Sequence, residues 1–260
     1  MKTVLVSGAA GSIGSELCRQ LIGKYKVVAL DQDESGLFDL KGVVPEIANI
    51  RDRQTIADIF NKYNPKIVFH TAAYKHLSNF EKDHYEEIVK TNIMGTVNVL
   101  RESQIHKAKF IFISTDKAVN PTSLMGSTKL VGEIMTKRCG GIVVRFGNVM
   151  GSRGSVIPIW EKQVQNKQTP TITDERMERY FMTIKEACTL VIEASRNGRP
   201  GELIILDMGK QKKVVDIFKQ LYGDIPYKVI GAKEGEKLSE ELLTDDEKKT
   251  VKKRGRFFII

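Results

Sequence analysis

The chain has 260 residues, 41% of them apolar and 28% charged, which suits one large domain or one domain with a small annex. Lysine and arginine number 41 against 32 acidic residues, a net charge of +9 that fits nucleic acid, an anionic membrane or an anionic small substrate. No helix-turn-helix, zinc-finger or RNP pattern accompanies the charge, and no apolar run nears the roughly 18 residues of a membrane span.

In chain order, TVLVSG (3–8), KVVALD (26–31), KIVFHTA (66–72), KFIFIST (109–115) and GIVVRFG (141–147) read as strands covered on both faces. Helical patterns lie between them at 12–23, 53–62, 85–105 and 126–138. That alternation predicts an α/β fold, a Rossmann-type doubly wound parallel sheet. After about residue 148 the pattern is less regular. TPTIT (169–173) reads as an annex strand, 183–198 and 211–222 as helices, and GELIILDMG (201–209) as a late strand of the main sheet. The expected division is a Rossmann domain over 1–168 and mainly a small C-terminal substrate-binding annex over 169–260, with a strand near 202–207 returning to the sheet. The basic run EKKTVKKRGR (247–256) reads as a solvated tail. The start, MKTVLVSGAAG, turns glycine-rich before a signal-peptide core develops, so a cytoplasmic protein is expected. Cys18, Cys139 and Cys188 are scattered and the four histidines lack HExxH spacing, so neither a disulfide framework nor a metal site is expected.

The first strand runs into Gly8-x-x-Gly11-x-x-Gly14 and then a helix. In such loops the first glycine allows the tight turn, the second admits a pyrophosphate to the backbone, and the third lets helix pack on strand. Ser12 and Ile13 belong to the same phosphate-facing turn. Asp31 ends the next strand about 20 residues on, where a carboxylate takes the adenosine ribose hydroxyls and repels a 2′-phosphate. Gln32 adds no positive charge, so NAD is favoured over NADP; the plainer reading of Asp31 is a turn residue. Asp52, in NIRDR (49–53), is placed to reach the adenine amino group.

The fourth core strand ends in ISTDKAVNPTSLMGSTKLVGE (113–133). Ligands of parallel sheets bind at the carboxyl ends of central strands, and here Ser114, Thr115, Asp116 and Lys117 are consecutive, with Lys129 on the following helix. A polar helix cap with surface charges is the competing reading.

These stretches resemble extended short-chain dehydrogenases/reductases of the CapD-like polysaccharide-biosynthesis group, which contains the inverting UDP-N-acetylglucosamine 4,6-dehydratases. The resemblance runs nearly end to end: GAAGSIGSEL (8–17), HTAAYKHLSNFE (70–81), TNIMGTVNVL (91–100), STDKAVNPTSLMGSTK (114–129), VRFGNVMGSRGSVIP (144–158), RYFMTIKEA (179–187), LDMGK (206–210) and GEKLSEELL (235–243). It implies that Thr71, Ala72 and Ala73 line the cofactor, that Asn92 supports it, that Ser114 and Lys129 contact it, and that Lys129 binds the nicotinamide ribose. It places Lys75, Asn148, Val156, Arg179 and Glu236 at the substrate, with Asn148 near the phosphates and Arg179 and Glu236 at the UDP part. It also implies a homo-oligomer, commonly a dimer or hexamer.

The implied reaction is an internal redox cycle on a UDP-sugar. Hydride leaves C4, the resulting ketone acidifies the C5 proton, water leaves C6, and hydride returns at C6 with inversion at C5. Asp116 is then the acid to the C6 hydroxyl and Lys117 the C5 base, with Thr115 beside them. A lysine buried near cofactor and substrate can serve as a base near neutrality, and a desolvated aspartate can hold a proton. Where the wider superfamily has Tyr-x-x-x-Lys, this chain has Met125-Gly-Ser-Thr-Lys129. A thioether transfers no proton, which leaves Lys129, Asp116 or a bound water as the C4 base; subgroup members with Met there are active. The family's Arg-Pro-Gly-Glu-Lys-Leu-Tyr is Lys233-Glu234-Gly235-Glu236-Lys237-Leu238-Ser239 here, residues 32–49 look trimmed, and the N-terminal transmembrane region of anchored relatives is not seen. Two other readings stand beside dehydration: a 4-epimerase acting on the same UDP-sugar, and a catalytically silent NAD-binding protein.

Overall fold

The computed structural model describes residues 1–76, 81, 83–232 and 234–260. Four buried-on-both-faces strands form its centre: β1 (Thr3–Ser7), β4 (Ile67–His70), β5 (Lys109–Thr115) and β6 (Ile142–Phe146). On one side β1 pairs in parallel with β2 (Lys26–Asp31), and β2 with β3 (Val44–Ile47). On the other, β6 pairs in parallel with β11 (Leu203–Leu206). The sheet order β3-β2-β1-β4-β5-β6-β11 is that of a doubly wound fold, and it continues into an antiparallel edge of β15 (Phe257–Ile259) and β14 (Lys252–Arg254).

The period-two alternation of the strands sorts side chains into two cores. Val4, Val6, Ala29, Ile111, Ile113 and Val144 face one layer of helices. Leu5, Val28, Leu30, Phe110, Phe112 and Val143 face the other, with Ile56, Phe60, Val99 and Leu100. Because both faces are covered, these strands read as unbroken apolar runs. β3 does not: its VPEI is short, half exposed and carries a proline that only an edge strand tolerates.

Two features depart from the expected division. The run at 247–256 is no solvated tail; a capping box on Thr244 and Glu247 starts the helix Asp245–Thr250, and β14 follows within the main sheet. Residues 169–260 are also not gathered in an annex. The helix Ile184–Asn197 buries Ala187, Cys188, Leu190 and Val191 in the same core as Leu17 and Cys18 of the helix Ser12–Leu21. What stands apart is a third cluster of Trp160, Ile172, Met177, Val214, Val215, Ile217 and Phe218. Short ladders stitch this part together, β8 (Thr171–Ile172) with β13 (Lys228–Val229) and β9 (Glu178–Arg179) with β12 (Lys212–Lys213), while β7 (Asn148–Met150) pairs with β10 (Phe181–Thr183) and packs Val149 and Met182 into the first core. No helix among the described residues is long and apolar enough to cross a membrane. Residues 77–80 of the HTAAYKHLSNFE stretch, and Lys233, lie outside the described residues.

Candidate active site

The carboxyl ends of β1 and β4 diverge at the point where the sheet reverses its winding, and a cleft opens there. Gly8, Gly11, Asp31, Thr71, Ala72 and Ala73 line it together with Gln32, Asn49, Ile50 and Tyr74. Gly8 sits at φ +72°, and a Cβ there would lie 2.6 Å from the Ala72 nitrogen; any side chain would strain the backbone and fill the crossing of the two strands. Gly14 serves packing instead, since its Cβ would fall 2.1 Å from the Gly8 carbonyl oxygen. The helix Ser12–Leu21 has no side-chain cap at Gly11, which leaves its first N–H groups available to an anion. Ser12, Ile13 and Gly14 open this helix beside the cleft. The Ser12 hydroxyl accepts the Arg153 N–H at 2.9 Å, and Lys75 Nζ donates to the Arg153 carbonyl at 2.8 Å, so the 151–155 loop crosses the glycine loop.

Asp31 receives the Ala10 N–H on Oδ2 at 3.0 Å and the Asp33 N–H on Oδ1 at 3.1 Å. Its carboxylate is thus fixed by the glycine loop while still lining the cleft. Asp52, expected at the adenine amino group, is exposed and is not among the residues that line the cleft. It caps the helix Arg53–Tyr63, accepting from the Gln54 and Thr55 N–H groups and from the Thr55 hydroxyl; Asn49 and Ile50 line the cleft in its place. Asn92 lies in a π-type turn, Lys90–Gly95, and is buried behind the cleft. Its amide exchanges hydrogen bonds with the Tyr74 backbone at 2.8 and 2.9 Å and donates to Thr128 at 3.0 Å. It orients the cleft wall and does not line it.

At the end of β5 the Thr115 hydroxyl caps a turn of 3₁₀ helix, Asp116–Ala118. Asp116 is fully buried; its Oδ1 accepts from the Thr115 hydroxyl at 2.8 Å and from Lys117 Nζ at 2.9 Å. Oδ2 has no hydrogen-bond partner among the described residues. A Cβ on Gly147 would approach that oxygen to 3.0 Å, so glycine there leaves it room. Lys117 Nζ also donates to Asn148 Oδ1 at 3.1 Å. Asn148, expected near the phosphates, is therefore a partner of Lys117.

Lys129 projects from the helix Leu124–Arg138, 7% exposed, with Nζ 2.9 Å from the Ile113 carbonyl and 4.8 Å above the Phe112 ring. Burial lowers its pKa to about 8, with the Glu133 charge partly opposing. Met125, one turn earlier, is 2% exposed, and its N–H donates to Glu81 at 2.8 Å.

Two further expectations are corrected, for Ser114 and Arg179. Ser114 does not face the cleft: its hydroxyl donates to Glu133 at 2.6 Å inside a buried network. There Arg145 bridges Glu133, at 2.6 and 2.9 Å, to Glu247, at 2.7 and 3.0 Å. Arg179, expected at the UDP part, is 4% exposed and spends its guanidinium on the carbonyls of Glu178, Lys237 and Leu238. It pins the 235–243 segment against β9. Val156 opens the helix Val156–Gln165 and packs on the Trp160 cluster, while Glu236 lies half-buried in the pinned segment.

Glu240 had escaped the sequence reading. It is 1% exposed, with Oε1 3.9 Å from Lys117 Nζ. Its only sequence signal was its place in GEKLSEELL, where Glu236 drew the attention.

A doubly wound sheet with a glycine-rich first turn and a polar cluster after β5 defines a Rossmann-type protein of the short-chain dehydrogenase/reductase class. The model of the polysaccharide biosynthesis protein family matches residues 4–260, and the chain belongs to that family. It is 40% identical over 275 residues to the capsular polysaccharide biosynthesis protein CapD of Staphylococcus aureus, covering 95% of this chain and 46% of that one. The chain thus spans about half the length of that relative. It is 31% identical over 269 residues to a UDP-N-acetylglucosamine 4,6-dehydratase (inverting) of Campylobacter jejuni, covering 95% of this chain and 78% of the other. It is equally 31% identical, over 285 residues, to a UDP-glucose 4-epimerase of Rickettsia bellii, with 100% and 82% covered. The structure of Pen from Bacillus thuringiensis superposes with a TM-score of 0.91 at 34% identity, covering 100% of this chain and 87% of that one. Nucleotide-sugar dehydratases and epimerases thus both stand among its relatives.

Proposed function

We propose that this protein is an NAD-dependent nucleotide-sugar 4,6-dehydratase of polysaccharide biosynthesis, acting on UDP-N-acetylglucosamine with inversion at C5. The observation that carries the reading is the Asp116–Lys117 pair: a fully buried carboxylate in contact with a lysine, one oxygen without a partner among the described residues, at the carboxyl end of a central strand. Epimerisation at C4 needs no C5 base, whereas elimination of water needs a base and an acid together.

The cleft fits a dinucleotide: Gly8 and Gly14 admit no side chain, no side chain caps the helix N-terminus among the described residues, and Asp31, held by the Ala10 N–H at the cleft, would accept the ribose hydroxyls. When bound, NAD supplies a hydride acceptor at C4 and a hydride donor at C6. The Thr115 hydroxyl, bonded to Asp116, gives the C4 hydroxyl proton an outlet that bypasses Met125. Asp116 then protonates the departing C6 hydroxyl, and Lys117 takes the C5 proton. Asn148 holds the lysine in place. Lys129, whose Nζ donates to the Ile113 carbonyl, would hold the nicotinamide ribose.

The epimerase reading is favoured by the Rickettsia relative at the same identity. Incubation with UDP-N-acetylglucosamine in heavy water separates the two. A dehydratase gives a 4-keto-6-deoxy product carrying deuterium at C5; unlabelled UDP-N-acetylgalactosamine refutes the proposal.

A further inference from the structure

We propose that Glu240 is a positioning residue of the active site, a second carboxylate that, with Asp116, holds the Lys117 ammonium. This rests on the reading of Lys117 as a proton-accepting base, but its test does not. The backbone around Glu240 is held on every side. Gln211 donates to its carbonyl at 2.8 Å, Ser239 bridges to Glu178, and Arg179 ties down the carbonyls of Lys237 and Leu238. The side chain is therefore delivered to one place, where it is 1% exposed.

What it meets there is charge. Oε1 stands 3.9 Å from Lys117 Nζ and Oε2 3.9 Å from Lys237 Nζ, and Oε2 has no hydrogen-bond partner among the described residues. The charged groups facing it are Asp116 and Lys117 from the turn after β5, Arg179 from β9, and Lys237 from its own segment. Burial pushes its carboxyl above the usual range; Lys117 opposes this, the Asp116 charge adds to it, and Arg179 and Lys237 oppose it. A buried carboxylate with an unsatisfied oxygen weakens the fold. Its compensation is at Lys117: once the amine has taken a proton, the ammonium lies between Asp116 Oδ1 at 2.9 Å and Glu240 Oε1 at 3.9 Å.

Competitive labelling with acetic anhydride across a pH series, read by peptide mass spectrometry on the full chain with NAD present, gives the pH at which Lys117 becomes half-reactive. An opposite charge within this distance favours the charged form by about 1–3 pH units, so Glu240→Gln moves the Lys117 midpoint down by about one unit and leaves those of distant surface lysines unchanged. Glu240→Asp, which withdraws the carboxylate by one methylene, gives a smaller shift in the same direction and decides the matter alone if the Gln variant does not fold. A Lys117 midpoint equal to that of the unmodified chain in the variants that fold overturns the proposal, even if their turnover falls, and leaves Glu240 a structural part of the 235–243 segment. Failure of the dehydratase reading would show separately, as the absence of a 4-keto-6-deoxy product from the unmodified chain, while the labelling still reports on Glu240.

Discussion

Truncating Glu133 to alanine tests how the reactive end of β5 is supported. Glu133 and Arg145 are 3% and 1% exposed, joined by two bonds of 2.6 and 2.9 Å. The same glutamate accepts the Ser114 hydroxyl at 2.6 Å, two residues before Asp116. Removing one partner of a buried pair costs about 3–5 kcal/mol, because the other is left charged and dry. Glu247 still neutralises Arg145 at 2.7 and 3.0 Å, so the lower end, about 3 kcal/mol, is expected. At about 2–4 °C per kcal/mol for a domain near this size, the melting temperature falls by about 6–12 °C. The assay is thermal unfolding followed by circular dichroism, with urea unfolding as a check. pH adds a second axis through Glu247. Burial pushes its carboxyl up, but the bonds from Arg145 and the Thr244 N–H, with the Arg145 charge, hold it below the usual value on balance. A depressed carboxyl contributes stability above its ordinary value near 4.5 and loses it as pH falls through the folded value. Acid should therefore weaken the unmodified chain below that point and narrow its gap to Glu247→Gln. A Glu133→Ala loss under about 1 kcal/mol would refute the reasoning, since it would mean that Arg145 finds water or relaxes without it.

Lys117→Ala should abolish formation of the 4-keto-6-deoxy product while NAD binding, measured by calorimetry, is retained; continued turnover removes Lys117 as the C5 base. Asp31→Ala should erode the preference for NAD over NADP by about 1.5–3 kcal/mol, the worth of a charged hydrogen bond, and an unchanged affinity ratio displaces Asp31 from the ribose. Lys129 is buried with its pKa lowered to about 8 from 10.5, so the unfolded chain binds the proton more tightly and stability rises with pH between those values. Urea unfolding of the cofactor-free protein should show this gain, up to about 3 kcal/mol, and Lys129→Met should lack it; parallel curves refute the assignment. Met125→Tyr should leave dehydration no faster; a variant that turns over UDP-sugar when the unmodified chain does not would establish a silent NAD-binding protein.

The sheet was legible because its strands are buried on both faces and so run unbroken in Val, Ile and Phe. β3 was not, since an edge strand with a proline carries no such run, and β14 was hidden because its lysines and Arg254 sit at the sheet's edge and look like a tail. Residue types marked the glycine loop, Asp31 and the Thr115–Lys117 turn, where local spacing dictates geometry. They could not say which polar side chains are consumed internally. Asp52 looks like a ligand residue until its oxygens are seen capping a helix. Ser114 and Arg179 look the same until Glu133 and three carbonyls take them up. Glu240 and Lys117 are 123 positions apart, and only the pinning of the 235–243 segment brings them together.

That pinning bears on the missing tyrosine. In the usual arrangement one phenol, tuned by the lysine four residues on, takes the C4 proton. Here Met125 is buried and inert, and Lys129 Nζ is turned onto the Ile113 carbonyl. In the proposed dehydration the proton transfers fall to the turn after β5, where Thr115 donates to Asp116 and Asp116 pairs with Lys117. The cycle must accept two protons, from the C4 hydroxyl and from C5, and return one to departing water and one to C5. A carboxylate and an amine in contact supply two such stations, and Oδ2 of Asp116, buried beside Gly147, has no hydrogen-bond partner among the described residues. A single phenol would supply one. On the proposed mechanism the loss of tyrosine is consistent with elimination chemistry, and Asn148 and Glu240, which also approach the Lys117 amine, would keep it in place through both transfers.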